Sequence, residues 1–292
     1  MTAIDHKSRS HALLSASGAS RWLACPPSAR IEDQFPDTES DFAKEGTIAH
    51  EICELYIRHS LKLITKKERD KGVKKWKEDV LYSDDMLSHA EDYAEYILEK
   101  ASPKGSIVLI EEKLDFSDYV PDGFGTGDCI IIADGKLTII DFKYGKGVEV
   151  SAEKNPQMML YALGAKAMYD CIYEFNTIEM CIFQPRLKNI SEWEISIEDL
   201  EKWGNETVIP TAALAYDGKG DLKAGSHCMF CKAKGRCKQL AQYTLETVSA
   251  DFENEDGELD PNLLSPKDVA MILERAATIK KWITTVEEQA LC

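Results

Sequence analysis

The residue types best suited to chemistry lie between Gly123 and Tyr161. Two apolar runs, TGDCIIIA and KLTIIDFK, flank Asp134-Gly135, a two-residue hairpin signal. Counting outward from that turn pairs Ala133 with Lys136, Ile132 with Leu137, Ile130 with Ile139 and Asp128 with Asp141. Strand alternation then sets Asp128, Ile130 and Ile132 on one face with Leu137, Ile139, Asp141 and Lys143. Two carboxylates thus oppose each other at the end of an apolar face, with Cβ atoms about 5 Å apart, which is unfavourable without a partner. A divalent cation would turn the repulsion into ligation, and a hard cation such as Mg²⁺ prefers oxygen. The plainer reading, the one to favour in an arbitrary hairpin, is a pair of solvated carboxylates, and a bulge would break the register.

Past the hairpin, Asn155-Pro156 opens a helix that sets Gln157 and Tyr161 four residues apart on one face. Asp128, Asp141-x-Lys143 and Gln157-x-x-x-Tyr161 together resemble the PD-(D/E)xK nuclease superfamily in its RecB-like branch. That resemblance implies that Asp128 and Asp141 hold Mg²⁺ or Mn²⁺, that Lys143 activates water or stabilises charge, and that Gln157 and Tyr161 line the site. The run Gly46-Thr47-x-x-His50-Glu51 resembles that branch's first motif, which implies His50 as a further metal ligand. A lone helical histidine is otherwise most often structural.

A second group of ligating residues is SHCMFCKAKGRCKQ, where Cys228-x-x-Cys231 is followed by Cys237. Three thiols this close seldom arise from core packing, and they point to a metal or a cluster that needs a fourth ligand. Cys25, His227 and the remaining cysteines are candidates. Cys53, Cys129, Cys171 and Cys181 fall in helical or strand runs and read as packing residues. Cys25, before Pro26-Pro27, alone has a ligand's loop setting. Spacing does not separate zinc from iron–sulfur. The layout resembles the iron–sulfur nucleases, among them the CRISPR-adaptation and AddB-type enzymes, and most closely an uncharacterised phage and prophage family. This implies a [4Fe–4S] cluster on Cys25, Cys228, Cys231 and Cys237, clamping the two ends of the domain together.

The elements that must position these residues follow from periodicity. Residues 13–24, 41–60 and 84–100 read as helices, 106–113 as a strand, 174–185 and 190–197 as strands, and about 198–216 as helical. Residues 62–82 are basic and contain Gly72, so a loop or broken helix is expected. Glu111 and Glu112 point to opposite strand faces, and one of them could approach the acid pair. The order implies an α/β core with a mixed sheet and helical decoration. The resemblance makes it a restriction-endonuclease-like core over residues 1–245. Residues 246–264 are acidic and read as a linker, and 265–292 read as a helix started by Ser265-Pro266.

Composition limits the function classes. With 51 acids against 35 bases the net charge is −16, which excludes coating nucleic acid by bulk attraction. Basic charge is segregated instead, into residues 62–77, with eight bases and two acids, and 219–238, with six and one. Each is also what a solvated surface looks like. No apolar run reaches the roughly 20 residues of a membrane span, and no signal peptide is read, so a cytoplasmic location is expected. The implied activity is a divalent-metal-dependent deoxyribonuclease, an exonuclease on single-stranded DNA ends in phage or prophage replication or recombination. The alternative is a non-catalytic nucleic-acid-binding iron–sulfur module. The C-terminal helix would offer a surface to a replication or recombination partner.

Overall fold

The computed structural model describes residues 12–36, 40–133, 135–248 and 266–290. They divide into two compact units, the first holding 12–17 and 40–210, the second 18–36 and 211 onward.

The first unit is built on five strands in the order β1-β2-β3-β4-β5. These are β1 (Ile107–Asp115), β2 (Phe124–Ala133), β3 (Lys136–Phe142), β4 (Thr177–Gln184) and β5 (Asn189–Ser196). Neighbours are antiparallel except β3 and β4, which are parallel. A parallel pair needs a crossover, and a helix between the two strands, Pro156–Tyr169, supplies it. The β2–β3 register is the one that counting predicts, from Ala133↔Lys136 to Cys129↔Ile140. Asp134 lies outside the described residues, and Gly135 takes φ +73°, left-handed backbone that glycine adopts without strain.

Cys129, Ile131, Ile140, Phe142, Cys181 and Phe183 pack one sheet face against two helices, Asp41–Ser60 and Asp85–Lys100. Fully burying side chains of this size is worth about 1.5–3 kcal/mol each. Ser40 caps the first of these helices by accepting from the Ala43 amide. The crossover helix covers the other face, and Met158 through Ala165 are all buried, as expected of a helix apolar on every side. Its outer flank meets the helix Ile197–Trp203 through the Lys166–Glu201 ion pair, 2.8 Å.

The basic stretch 62–82 is not a loop or a broken helix. Lys66–Trp76 is a regular helix with a full capping box, Thr65 bonding the Glu68 amide and Glu68 the Thr65 amide. Gly72 lies inside it, and a Cβ there would stand 2.6 Å from Leu55 Cδ1. The glycine is the place where this helix packs against its neighbour.

In chain order the helices are α1 (Ala19–Ala24), α2 (Ser28–Glu32), α3 (Asp41–Ser60), α4 (Lys66–Trp76), α5 (Asp85–Lys100), α6 (Pro156–Tyr169), α7 (Ile197–Trp203), α8 (Ile209–Asp217), α9 (Lys238–Val248) and α10 (Pro266–Ala290). The helix expected over 13–24 is shorter, a 3₁₀ turn followed by α1. A π-helical turn at Gly204–Val208 joins α7 to α8, just before Pro210, whose nitrogen has no hydrogen to donate. The linker expected at 246–264 falls outside the described residues after Val248. Among the described residues no helix is long and apolar enough to cross a membrane.

In the second unit α1, α2, α9 and α10 accompany two 3₁₀ turns, Ser226–Phe230 and Lys234–Arg236. Buried Glu32 ties the N-terminal piece to the cysteine segment. It accepts from the Lys232 amide at 2.8 Å and pairs with Arg21. Arg30 donates to the Tyr216 carbonyl at 2.6 Å and lies over that tyrosine's ring.

Candidate metal centre

The acid pair sits where β2 and β3 leave their ladder. Asp128 Oδ2 accepts from the Phe142 amide at 2.7 Å and lies 3.5 Å from His50 Nδ1 on α3. Burial raises the Asp128 pKa. His50 opposes the rise and Asp141 adds to it. Asp141 is buried, with Oδ1 accepting from Gln157 Nε2 at 3.1 Å. Its Oδ2 pairs with the Lys143 ammonium at 2.9 Å.

Lys143 is held from both sides, since its ammonium also donates to Gln157 Oε1 at 3.0 Å. Burial pushes its pKa down, but Asp141 and Asp128 together push it up further, for a net rise. Gln157 therefore joins Asp141, Lys143 and, at 3.3 Å, the Tyr161 hydroxyl. Asn155 presets this end of α6 by accepting from the Gln157 and Met158 amides. Gly125 makes room for the tyrosine: a Cβ there would lie 2.7 Å from Tyr161 Cε1.

Glu111 completes the group. One donor atom each from His50, Glu111 and Asp128 lie within 4.8 Å of one another, a nitrogen and two oxygens that suit Mn²⁺ or Mg²⁺. Crowding by the protein, with the Asp128 carboxylate next, pushes the Glu111 pKa up to about 8. Its backbone has φ +54°, costly for a residue with a side chain.

That twist changes the phase of β1. Ile110 packs with the α3–α5 cluster, whereas Glu112 accepts from Tyr169 of α6 at 3.1 Å and Leu114 meets α6 at Gly164. Strand alternation alone would put Ile110 and Glu112 on one face. Sequence reasoning left Glu111 and Glu112 as equals because a left-handed residue inside a strand has no periodic signature.

The structure thus brings together His50, Asp128, Asp141, Lys143, Gln157 and Tyr161, and adds Glu111. A cleft of about 400 Å³ opens onto His50 and Glu111, lined also by Phe42, Ala43, Gly46, Thr47, Glu51 and Glu54.

In the second unit Cys25, Cys228 and Cys231 are buried and Cys237 is half-buried, all as free thiols. Cys228 sits within electrostatic reach of Cys237 and Cys25. Burial lifts the Cys231 thiol to about 12, with Glu32 adding. Sulfur deprotonated there would need a cation or a cluster to offset its charge. His227 is engaged with the Lys223 carbonyl at 2.9 Å. Of the cysteines read as packing residues, Cys53, Cys129 and Cys181 are buried, but Cys171 is exposed in the turn after α6.

Comparison with known proteins places residues 11–292 in the family described as protein of unknown function (DUF2800), and the chain belongs to that family. Among solved structures it is similar to a "Putative exonuclease" from Eubacterium rectale, at 10% identity and TM-score 0.40, covering 88% of this chain and 97% of that one. It is also similar to SSO0001, at 11% identity and TM-score 0.32, covering 76% of this chain and 96% of that one. At those scores neither fixes a shared fold.

Proposed function

We propose that this DUF2800-family chain is a divalent-metal-dependent deoxyribonuclease of the RecB-like PD-(D/E)xK type, acting on single-stranded DNA ends. The observation that carries this reading is the meeting of His50, Glu111 and Asp128 within 4.8 Å, beside an Asp141–Lys143–Gln157 network. Those three residues, with the Asp141 carboxylate that the Lys143 ammonium pairs with at 2.9 Å, would hold Mg²⁺ or Mn²⁺. When bound, such an ion lowers the pKa of water and offsets charge on the scissile phosphate.

The protein's own part is positioning and charge. The raised Lys143 pKa keeps its ammonium charged at neutral pH, so it cannot take a proton from water. Its role is to hold a phosphate oxygen or the attacking water. Gln157 fixes the lysine's position through Oε1 and the Asp141 carboxylate through Nε2. Burial raises the Tyr161 pKa, so its hydroxyl stays neutral and remains a donor.

A [4Fe–4S] cluster on Cys25, Cys228, Cys231 and Cys237 belongs to the same reading. It would cross-link the ends of the second unit, and anaerobically purified protein should carry iron and acid-labile sulfide.

The test is cleavage of labelled linear and circular single-stranded DNA by the purified chain, with Mn²⁺ and with EDTA. Mn²⁺-dependent degradation of the linear strand supports the proposal. DNA binding without cleavage under any divalent ion would make the chain a binding module instead.

A further inference from the structure

Phe42, Gly46, His50 and Glu54 are spaced by four on α3, so they form one stripe. That stripe is the floor of the cleft that reaches His50 and Glu111. Phe42 is 76% exposed, an unusual state for a large aromatic at the rim of a polar site. Beside it Gly46 is open, and a Cβ there would meet nothing within 4 Å. Thr47 spends its hydroxyl on the Ala43 carbonyl at 3.1 Å, which leaves the floor near Phe42 flat and without a free hydroxyl donor.

The acids on this face do not repel a polyanion as their number suggests. Glu54 pairs with Arg58 at 2.6 Å and Glu51 with Lys75 at 3.6 Å, the latter from the basic helix α4. The carboxylate left over, Glu111, is part of the proposed metal group. A planar apolar face beside paired charges and a metal-capable group suits one ligand chemistry, an unpaired nucleobase whose phosphate lies toward the metal.

We infer that Phe42 is a stacking platform for the base of a nucleotide flanking the scissile phosphate, and that it selects strands whose bases are unpaired. This rests on the nuclease reading for the word scissile, but the stacking itself does not need cleavage. Phe42 precedes His50 by eight residues, about 12 Å along the helix axis, too far to touch the reacting phosphate. It is a positioning residue. A paired base keeps its faces inside the duplex stack and cannot offer one to Phe42.

The experiment measures binding of fluorescent oligo-dT, and of the same backbone carrying abasic spacers, to the full chain in Ca²⁺, with kinetics in Mn²⁺ alongside. Phe42→Ala should weaken oligo-dT binding by about five- to hundred-fold and leave binding of the abasic strand unchanged. KM for single-stranded DNA should rise while kcat stays within about twofold. Phe42→Trp should restore both. Equal oligo-dT affinity for wild type and Phe42→Ala, or an equal loss on the abasic strand, would overturn the inference. Base-dependent binding lost in Phe42→Ala, in a protein that never cleaves, would sustain the stacking and defeat the nuclease reading. No binding of either strand by wild type would defeat both.

Discussion

Glu111 stands opposite Asp128 at the step where the β1–β2 ladder is interrupted. Pairs run from Ile107↔Ile132 to Ile110↔Cys129 and resume at Glu112↔Gly127. The count is unchanged across the gap, so the register is kept while two residues are released from pairing. Both turn a carboxylate toward His50. Backbone strain at Glu111 and carboxylate repulsion meet at one point, and strained residues of this kind cluster at functional sites.

Metal affinity should therefore depend on pH through Glu111. A protonated carboxyl does not ligate, and this one loses its proton only near pH 8. Mn²⁺ binding should tighten as pH rises from about 5 to 8 and release protons below that range's upper end. Without metal the sign is opposite: a carboxyl with a raised folded-state pKa withdraws stability as pH climbs from its unfolded value, about 4.3, toward 8. Calorimetric titration with Mn²⁺ in two buffers of different ionisation enthalpy checks the first point. Glu111→Gln should flatten the pH dependence and weaken binding.

The two aspartates should differ in what they do to the metal-free fold. Asp141 neutralises Lys143, so Asp141→Ala leaves a largely buried ammonium unpaired and should cost about 1–3 kcal/mol. Asp128 has a raised pKa, so Asp128→Asn should stabilise the metal-free protein. Both should abolish Mn²⁺-dependent cleavage. Urea denaturation in EDTA separates the two effects, and equal destabilisation would contradict this reading of the network.

Gly125→Ala tests the tyrosine end of the site. The added methyl would stand 2.7 Å from Tyr161 Cε1, and the ring, buried on α6, has little room to retreat. A stability loss of about 1–3 kcal/mol is expected, with a fall in kcat as Gln157 loses its Tyr161 contact. Thermal melting and single-turnover cleavage check the two parts.

Glu32→Gln asks how much of the second unit is held without metal. The carboxylate takes the Lys232 amide and the Arg21 guanidinium. Losing its charge should destabilise this unit by about 1–3 kcal/mol, and on the cluster proposal the iron content should stay unchanged. On the same proposal Cys231→Ala should instead lose the iron, measured as metal and acid-labile sulfide per chain.

The hairpin and crossover were legible because their signals are local. A two-residue turn and the alternation in TGDCIIIA and KLTIIDFK fix the β2–β3 register, and Asn-Pro before Gln157 fixes the start of α6. The α4 helix also has a local signal, the capping box Thr65-x-x-Glu68, but Gly72 and the density of charge point the other way. Glu111 was undecidable, since its placement depends on one positive φ. The Glu32 contact to Lys232 spans 200 residues, and no window along the chain holds both partners.

The β3–α6 crossover also sets an order of assembly. Asp141, Lys143, Gln157 and Tyr161 all come from 21 consecutive residues, from the end of one strand to the first turns of the next helix. His50 and Glu111 arrive only when α3 and β1 have docked over much longer loops, and contacts of greater sequence separation form more slowly. During refolding the lysine–glutamine half can be in place while nothing yet holds a cation. On the proposed metal-dependent reading, the first Mn²⁺ bound during refolding would therefore mark the last long-range closure, the docking of α3 and β1.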